Sequence, residues 1–256
     1  MLLGYNTIEY YESKSLQRWL TADNKDIVVV FVTNKIPAFI FVTETEQATA
    51  TIQVFNADTD VAIDSPVAAN VYEQATKTVL EYTGSTIAGD TLPEGYYYLK
   101  IITTGSTETY YSEVFGWKTD ISDFLKITAT STAIIMANTW YGNPITYECY
   151  LFADKADTEI EIEEEGVEKP YGDIPSFNTL NLLNSFEVYG TRGIMIFLAG
   201  LRVLKTNGTV TFVFNGVSMT AYDLSVEKIE TTAFDEVVIL ALKFREENYI
   251  SSKNTI

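Results

Sequence analysis

The sequence predicts a mainly β protein in two parts, a β-sandwich followed by a β-rich α+β domain with one apolar helix. The 256 residues include 33 threonines, 17 tyrosines and 14 phenylalanines, which favour the pleated, half-buried surface of a strand. Apolar residues recur at the spacing of a helix in one segment, after residue 191. The chain is also long enough to bury two ordinary cores, so we expect two domains.

The first domain is predicted from a series of short apolar runs separated by turn-forming residues. Seven strands at intervals of about 8–12 residues are typical of an Ig-like β-sandwich. The candidate strands are 27–32, 37–42, 48–55, 68–72, 77–82, 96–103 and 109–117. The predicted organisation is an N-terminal arm (1–24), an Ig-like β-sandwich (25–118), a β-rich α+β assembly domain (119–245) and a C-terminal tail (246–256).

Three consecutive tyrosines mark the sixth candidate strand. A period of two places Tyr96, Tyr98 and Lys100 on one face and the intervening residues on the other. One interpretation is a tyrosine corner with amphipathic packing, and the other is a contact surface, because tyrosine is enriched at interfaces. Aromatic residues of the arm also need a cover, either on this chain or on a neighbouring subunit. The interface candidates are Tyr5, Tyr10, Tyr11, Trp19, Tyr96 and Tyr98.

The second domain opens with candidate strands at 123–130, 133–136 and 145–152. Residues 158–165 then alternate glutamate with isoleucine, which predicts an edge or interface strand with one acidic face. Like charges along an edge discourage unplanned strand pairing. We expect this acidic face to line a lumen or to meet solvent. Its members are Glu159, Glu161, Glu163 and Glu165.

The remaining elements have clear local signals. Residues 166–175, with two prolines and two glycines, predict a loop, and the apolar stripe from Ile194 to Leu204 predicts a helix starting after Thr191. Asn215-Gly216 between apolar runs predicts a tight hairpin, because both residues accept positive φ angles. A last strand is expected at 236–244, followed by a tail that would be frayed in isolation.

Composition excludes several classes of protein. The chain has no histidine, which removes Ser-His-Asp and Cys-His dyads and His-ligated zinc. With 35 acidic and 17 basic residues the net charge is −18, which argues against sequence-specific binding of nucleic acid. The single cysteine, Cys149, excludes an internal disulfide and is expected in the core. No uncharged run reaches the length of a membrane span, and the amino end lacks a secretory pattern, so we expect no membrane association.

Two chemical alternatives remain open. A pair of carboxylates could serve a glycosidase, although sequence does not fix the distance between them. The run from Asn56 to Asp60 is similar to the start of a calcium loop, but Val61 and Val67 stand where an EF-hand needs glycine and glutamate. A looser calcium site on Asp58, Asp60 and Asp64 is the surviving version. We expect no cofactor, and we expect Trp117 to pack where the two domains meet.

Three segments carry a resemblance to a known family: the run Glu94-Gly95-Tyr96-Tyr97-Tyr98, the run Tyr110-Tyr111-Ser112-Glu113-Val114-Phe115 and the Ile160–Gly166 strand before an apolar helix. Together they resemble virion proteins of tailed phages that infect Bacteroidetes, including crAss-like phages. The resemblance covers about residues 90 to 245. It implies a non-enzymatic structural subunit that forms an oligomeric ring in the tail, collar or neck through β-domain contacts and terminal arms. Such a subunit is made in the host cytoplasm and contacts other virion proteins of the portal, collar or tail. An acidic DNA channel lining would fit such a ring. The alternative is an Ig-like adhesion or glycan-binding module.

Overall fold

The computed structural model describes residues 6–17, 28–43, 49–63, 66–74, 77–82, 85–86, 92–104, 109–131, 145–165, 177–206, 208–231, 238–246 and 250–252. Within these ranges the chain is mainly β, with one α-helix and a short 3-10 helix at Lys14–Leu16. The prediction of a mainly β protein with one apolar helix is therefore confirmed. No helix in the described part of the chain is long and apolar enough to cross a membrane.

The N-terminal module (residues 28–118, with the arm of residues 6–17 packed on it) contains two main sheets. The strands are β1 (Tyr10–Tyr11), β2 (Val30–Val32), β3 (Lys35–Ile36), β4 (Phe39–Thr43), β5 (Thr49–Asn56), β6 (Val67–Ala68), β7 (Asn70–Gln74), β8 (Lys77–Tyr82), β9 (Ser85–Thr86), β10 (Gly95–Thr104), β11 (Thr109–Ser112) and β12 (Phe115–Lys118). One sheet has the strand order β2-β12-β10-β5-β6, and β11 also pairs with β10 and is followed by β1. The other sheet has the order β4-β8-β7.

The predicted strand at 109–117 is divided into β11 and β12 by a bulge. Lys100 pairs with Tyr111, whereas Tyr97 pairs with Phe115, so one extra residue enters the strand between these pairs. The Ser112 hydroxyl accepts the Leu99 N–H at 2.8 Å and donates to the Glu113 carbonyl at 2.8 Å, which satisfies backbone groups at the irregularity. The bulge turns β12 toward β2, with which it pairs in parallel.

The C-terminal module (residues 124–246) is a six-stranded antiparallel β-barrel. β13 pairs with β14 and β16, β16 with β17, β17 with β18, β18 with β15, and β15 returns to β14. The pairings therefore form a closed circuit of six strands, in which β14 pairs with β13 along residues 145–152 and with β15 along residues 153–165. Its elements, with the final strand that pairs beside β15, are β13 (Phe124–Ser131), β14 (Ile145–Glu165), β15 (Phe177–Gly190), α1 (Arg192–Thr206), β16 (Gly208–Phe214), β17 (Val217–Thr231), β18 (Val238–Glu246) and β19 (Ile250–Ser252).

Buried residues alternate with more exposed ones along β13, β16 and the second half of β15, and their side chains fill the interior. The Phe212 and Phe244 rings stack there with centroids 4.2 Å apart, and Phe186 stacks on Phe244 at 6.0 Å. Helix α1 packs its apolar stripe onto this core, where Phe197 meets the Tyr147 ring at 6.0 Å. The predicted helix and the Asn215-Gly216 hairpin are both confirmed, with φ of 49° and 78° at the two turn residues.

Strand pairing crosses the boundary expected near residue 119. Val30 of β2 pairs with Tyr150 of β14, so the larger N-terminal sheet continues into the barrel. One cluster of buried apolar side chains also runs through both modules, from Phe39 and Leu99 in the N-terminal module to Leu125 in the barrel. The two modules therefore share a sheet and a core.

Three features differ from the sequence prediction. Residues 145–152 and 158–165 form one strand, β14, rather than two. The 14-residue strand β15 is absent from the prediction, although Leu180, Leu182, Phe186 and Val188 alternate with polar residues as a strand requires. The expected frayed tail contributes β19, which pairs with β15. The predicted strand at 133–136 lies outside the described residues.

Candidate functional site

A half-buried carboxylate joins the two modules. Glu148 lies on β14, and its Oε1 accepts the Lys35 Nζ of the N-terminal module at 2.6 Å. Its Oε2 contacts the Lys126 Nζ of β13 at 2.8 Å, and the Tyr150 hydroxyl donates to Oε1 at 3.2 Å. Both carboxylate oxygens are thus engaged, one by each module, and the Glu148 side chain is only 17% exposed.

The electrostatics of this group favour the ionised carboxylate. Burial alone would raise the pKa of Glu148, but hydrogen bonds and positive charge from Lys126 and Lys35 outweigh burial and hold that pKa below its ordinary value of 4.5. For Lys126, burial would lower the pKa, and the contact with Glu148 reverses that effect and raises it. Both shifts favour the ion pair between Glu148 and Lys126.

A second carboxylate meets the barrel at the start of α1. Glu113 lies in the bulge after β11 and is 5% exposed. Its Oε2 accepts the Glu9 N–H at 3.4 Å, and its own N–H donates to the Glu9 carbonyl at 2.6 Å. A Cβ placed on Gly193 would lie 2.5 Å from the Glu113 Oε2 and 2.9 Å from the Glu9 nitrogen, so only glycine fits there. The first turn of α1 has no acidic residue of its own, and Glu113 brings a negative charge to its positive end.

The N-terminal arm runs through the same junction. Tyr10 is 4% exposed, and its ring lies 5.5 Å from Phe39 in the N-terminal module. Burial, and then the nearby Tyr147 phenol of the barrel, raise the pKa of Tyr10. Further along the arm, the Gln17 Nε2 donates to the Ser112 carbonyl at 2.7 Å. The arm therefore contacts both modules.

The predicted tyrosine row is covered by the chain itself. Tyr97 faces the core, and its hydroxyl donates to the Pro93 carbonyl at 2.8 Å, which is the hydrogen bond of a tyrosine corner. Tyr98, on the opposite face, is 3% exposed because Phe55 stacks on its ring at 5.3 Å and Lys14 of the arm lies over it. Tyr98 is therefore buried within the chain, which agrees with the interpretation of amphipathic packing, and Tyr10 of the arm is buried as well.

The remaining interface candidates divide into two groups. Tyr11 and Tyr96 are half-buried, and the Tyr11 hydroxyl donates to the Glu9 Oε2 at 2.9 Å. Tyr5 and Trp19 lie outside the described residues. The structure thus places one candidate at a sheet edge, Tyr11, on β1 opposite Tyr111.

The acidic segment is the far half of β14. In the described part of the chain, residues 155–165 pair with β15, and Glu159 and its three preceding residues are all exposed. Exposure of consecutive residues means that neither face of this stretch is covered. Glu161, Glu163 and Glu165 stand opposite Asn181, Thr179 and Phe177 in the register.

The calcium candidates are engaged otherwise or lie outside the described residues. Asp60 accepts the Lys14 ammonium and the Tyr98 hydroxyl, and these hydrogen bonds lower the pKa of Asp60. Asn56 Oδ1 accepts the N–H groups of Asp58 and Thr59 at 3.0 and 2.9 Å, which closes the turn. Asp64 is not among the described residues, and no group of three metal-ligating side chains occurs in the part that is described.

Cys149 and Trp117 both lie in the interior. Cys149 is fully buried, so the prediction of a core residue is confirmed, and burial raises the pKa of its thiol. Trp117 is fully buried, and its Nε1 donates to the Lys35 carbonyl at 2.8 Å. Trp117 thereby fixes the backbone of the lysine that reaches across to Glu148.

Sequence reasoning missed both junction carboxylates. Each is the one charged residue in an apolar strand, Glu113 within 109–117 and Glu148 within 145–152, and that isolation was the available signal. Their partners Lys35 and Gly193 are far away in sequence, so the pairs themselves had no local signal. Chemically, the arrangement binds the two modules and the arm to one another.

Comparison with known proteins gave no match, whether with protein-family models, with curated proteins or with solved structures.

Proposed function

We propose that this chain is a non-enzymatic structural subunit of a tailed-phage particle, where it assembles into a closed ring in the tail, collar or neck. The junction carries this proposal. Glu113 and Glu148 both lie at the junction and help to hold one module against the other. The buried charges described here therefore have a structural role. A ring subunit needs this property, because small changes in the angle between its parts would prevent closure.

The proposal includes an Ig-like assignment for the N-terminal module. In its support, β4-β8-β7 corresponds to a three-stranded sheet of neighbours B, E and D, and β2-β12-β10-β5-β6 to strands A′, G, F, C and C′. The parallel pairing of β2 with β12 fits the A′–G pair. The hydrogen bond from the Tyr97 hydroxyl to the Pro93 carbonyl fits the tyrosine corner at the start of strand F.

Within the ring, we place the acidic half of β14 toward the lumen or toward solvent. Glu159 is exposed, and a period of two puts Glu161, Glu163 and Glu165 on its side of the strand. A lumen of this charge would repel DNA phosphates and let a duplex slide, in agreement with the net charge of −18.

The adhesion alternative depended on an open row of tyrosines that could stack on sugars. Tyr98 is 3% exposed beneath Lys14, and Tyr96 is half-buried, which leaves that row without a stacking face. The ring is therefore the function that the geometry supports better.

The experiment is a mass measurement followed by imaging. Size-exclusion chromatography with light scattering on the purified chain should give a multiple of 28.7 kDa, and negative-stain images should show closed rings of uniform size. A species that remains monomeric at every concentration and is retained on a glycan surface would instead establish the adhesion function.

A further inference from the structure

The arm of residues 6–17 occupies a site that an extended peptide can recognise. Its backbone adds a short strand, β1, to β11, and the Glu113 N–H donates to the Glu9 carbonyl. Ile8 and Tyr10 insert into the core with 1% and 4% of their surface exposed. Main-chain pairing beside buried anchor side chains is the usual way in which a strand is added to a sheet edge.

Polar contacts fix the register of the arm in this site. Gln17 donates to the Ser112 carbonyl, and the Lys14 ammonium pairs with Asp60 while lying 5.2 Å from the centre of the Tyr98 ring. These partners belong to β10, to β11 and to the turn after β5, and Tyr10 also packs on Phe39 of β4, so the site is made by residues that follow the arm in the sequence. Nothing in these contacts requires that arm and site belong to the same copy.

Among the described residues, the exposed surface carries few large apolar side chains that could form a stable contact between copies. The described residues include five large apolar side chains that are exposed, and these are spread over several elements: Leu16, Val61, Ile196, Val217 and Tyr222. Stable interfaces need a contiguous, well-packed apolar centre. Ile8 and Tyr10, by contrast, are buried almost completely in the apolar arm site.

Residues 18–27 separate the arm from the described part of the N-terminal module, and ten extended residues span at most about 33–36 Å. An identical element can move to a neighbouring copy at low cost, because the arm finds the same binding partners there as on its own chain.

We propose that in the assembled ring the arm of each subunit occupies the arm site of the next subunit, so that the partner for this site is a second copy of the chain. This inference rests on the proposed ring. It makes the contact head-to-tail, which is the kind of contact that closes into a ring.

The test uses two variants with one introduced cysteine each. The two variants carry tags of different size, so that they can be told apart on a gel. Tyr11 and Tyr111 are partners across β1 and β11, where Cα spacing suits a disulfide. We would co-express Tyr11→Cys with Tyr111→Cys, oxidise the assembled protein and measure the mixed dimer on a denaturing gel. The buried Cys149 does not compete for this pairing. The control pair is Tyr11→Cys with Val217→Cys.

The double variant Y11C/Y111C tests the same contact with a single kind of chain, so that no co-expression is needed. Exchange predicts a ladder of cross-linked multimers with nearly all chains joined, whereas an arm on its own chain gives a cross-linked monomer. Should either cysteine prevent folding, Lys14→Cys with Asp60→Cys and a short bis-maleimide replaces the pair, because both side chains are largely solvent-accessible, at 43% and 58%.

Light scattering on the same samples separates the two proposals. Rings with a ladder and the mixed dimer support exchange. Rings in which every cross-link stays within one chain overturn exchange and leave the proposed ring standing. Monomers with internal cross-links overturn both.

Discussion

In the N-terminal module the larger sheet ends at β6 on one side, and on the other sides it relies on β1 of the arm and on β14 of the barrel. In the C-terminal module the six strands return to their starting point, and the interior is filled by their own alternate side chains and by α1. The stability of the barrel thus comes mainly from side chains packed in its interior. The stability of the N-terminal module also depends on the strands of the arm and of the barrel that pair with the edges of its larger sheet. This difference predicts where substitutions have local effects and where they loosen the junction.

The largest effect should come from the barrel interior. Phe212 is fully buried and stacks on Phe244 at 4.2 Å, so Phe212→Ala should lower the free energy of unfolding by about 3–5 kcal/mol. Chemical denaturation measures this decrease. The exposed Val217, next to the hairpin turn, supplies the control, and Val217→Ala should change stability by less than about 0.5 kcal/mol. Equal decreases in the two variants would contradict a packed barrel.

The next effect should come from the junction at α1. In an isolated helix, alanine is more favourable than glycine by about 1 kcal/mol, so Gly193→Ala would stabilise a free helix. Here the new Cβ would meet the Glu113 carboxylate and the Glu9 nitrogen, and we expect a net loss of about 1–3 kcal/mol. Thermal unfolding should also show the N-terminal module separating from the barrel as an earlier transition.

A second position on the same helix checks the sign of that result. Ala199 is exposed on α1, and Ala199→Gly should cost about 1 kcal/mol from propensity alone without an earlier transition. If Gly193→Ala stabilised the protein, the close approach of Glu113 to α1 would be wrong.

A smaller, pH-dependent effect is expected at Glu148. Because its folded pKa lies below 4.5, Glu148 contributes stability that is present above about pH 4.5 and is lost as the pH falls through the folded pKa. Glu148→Gln should cost about 1–2 kcal/mol at pH 7, a value reduced by the partial exposure of both lysines. Denaturation of both proteins from pH 7 to pH 3 should show the gap closing on the acid side. A gap that is constant with pH would exclude the ionic link.

The smallest effect is expected inside the N-terminal module. Tyr97→Phe removes the hydroxyl that donates to the Pro93 carbonyl, and we expect a loss of about 1 kcal/mol. Tyr96→Phe on the same strand is the matched control, since Tyr96 is only half-buried. The difference between the denaturation midpoints of the two variants measures how much the hydroxyl of Tyr97 contributes to stability. Equal midpoints would show that its hydrogen bond contributes nothing measurable.

Local patterns predict local elements well. The alternation around Tyr96, the apolar stripe of α1 and the Asn215-Gly216 turn each have a signal within a few residues, and the structure contains all three elements. β15 has the same kind of signal, an alternation of apolar and polar residues, but it is absent from the prediction. No local sequence signal predicts the pairing of β15 with β14 or the ion pair of Lys35 with Glu148. Both contacts join residues that are far apart in sequence and that only the folded chain brings together.

The parallel pair of β2 and β12 constrains the order in which the chain can fold during translation. Val30 pairs beside Gly116 on one side and Tyr150 on the other. When β2 leaves the ribosome, neither of its neighbours has been made, and the arm likewise waits for Ser112. β1 and β2 must therefore remain unpaired until β11 and β12 have been synthesised, and β2 gains its second neighbour only when β14 follows.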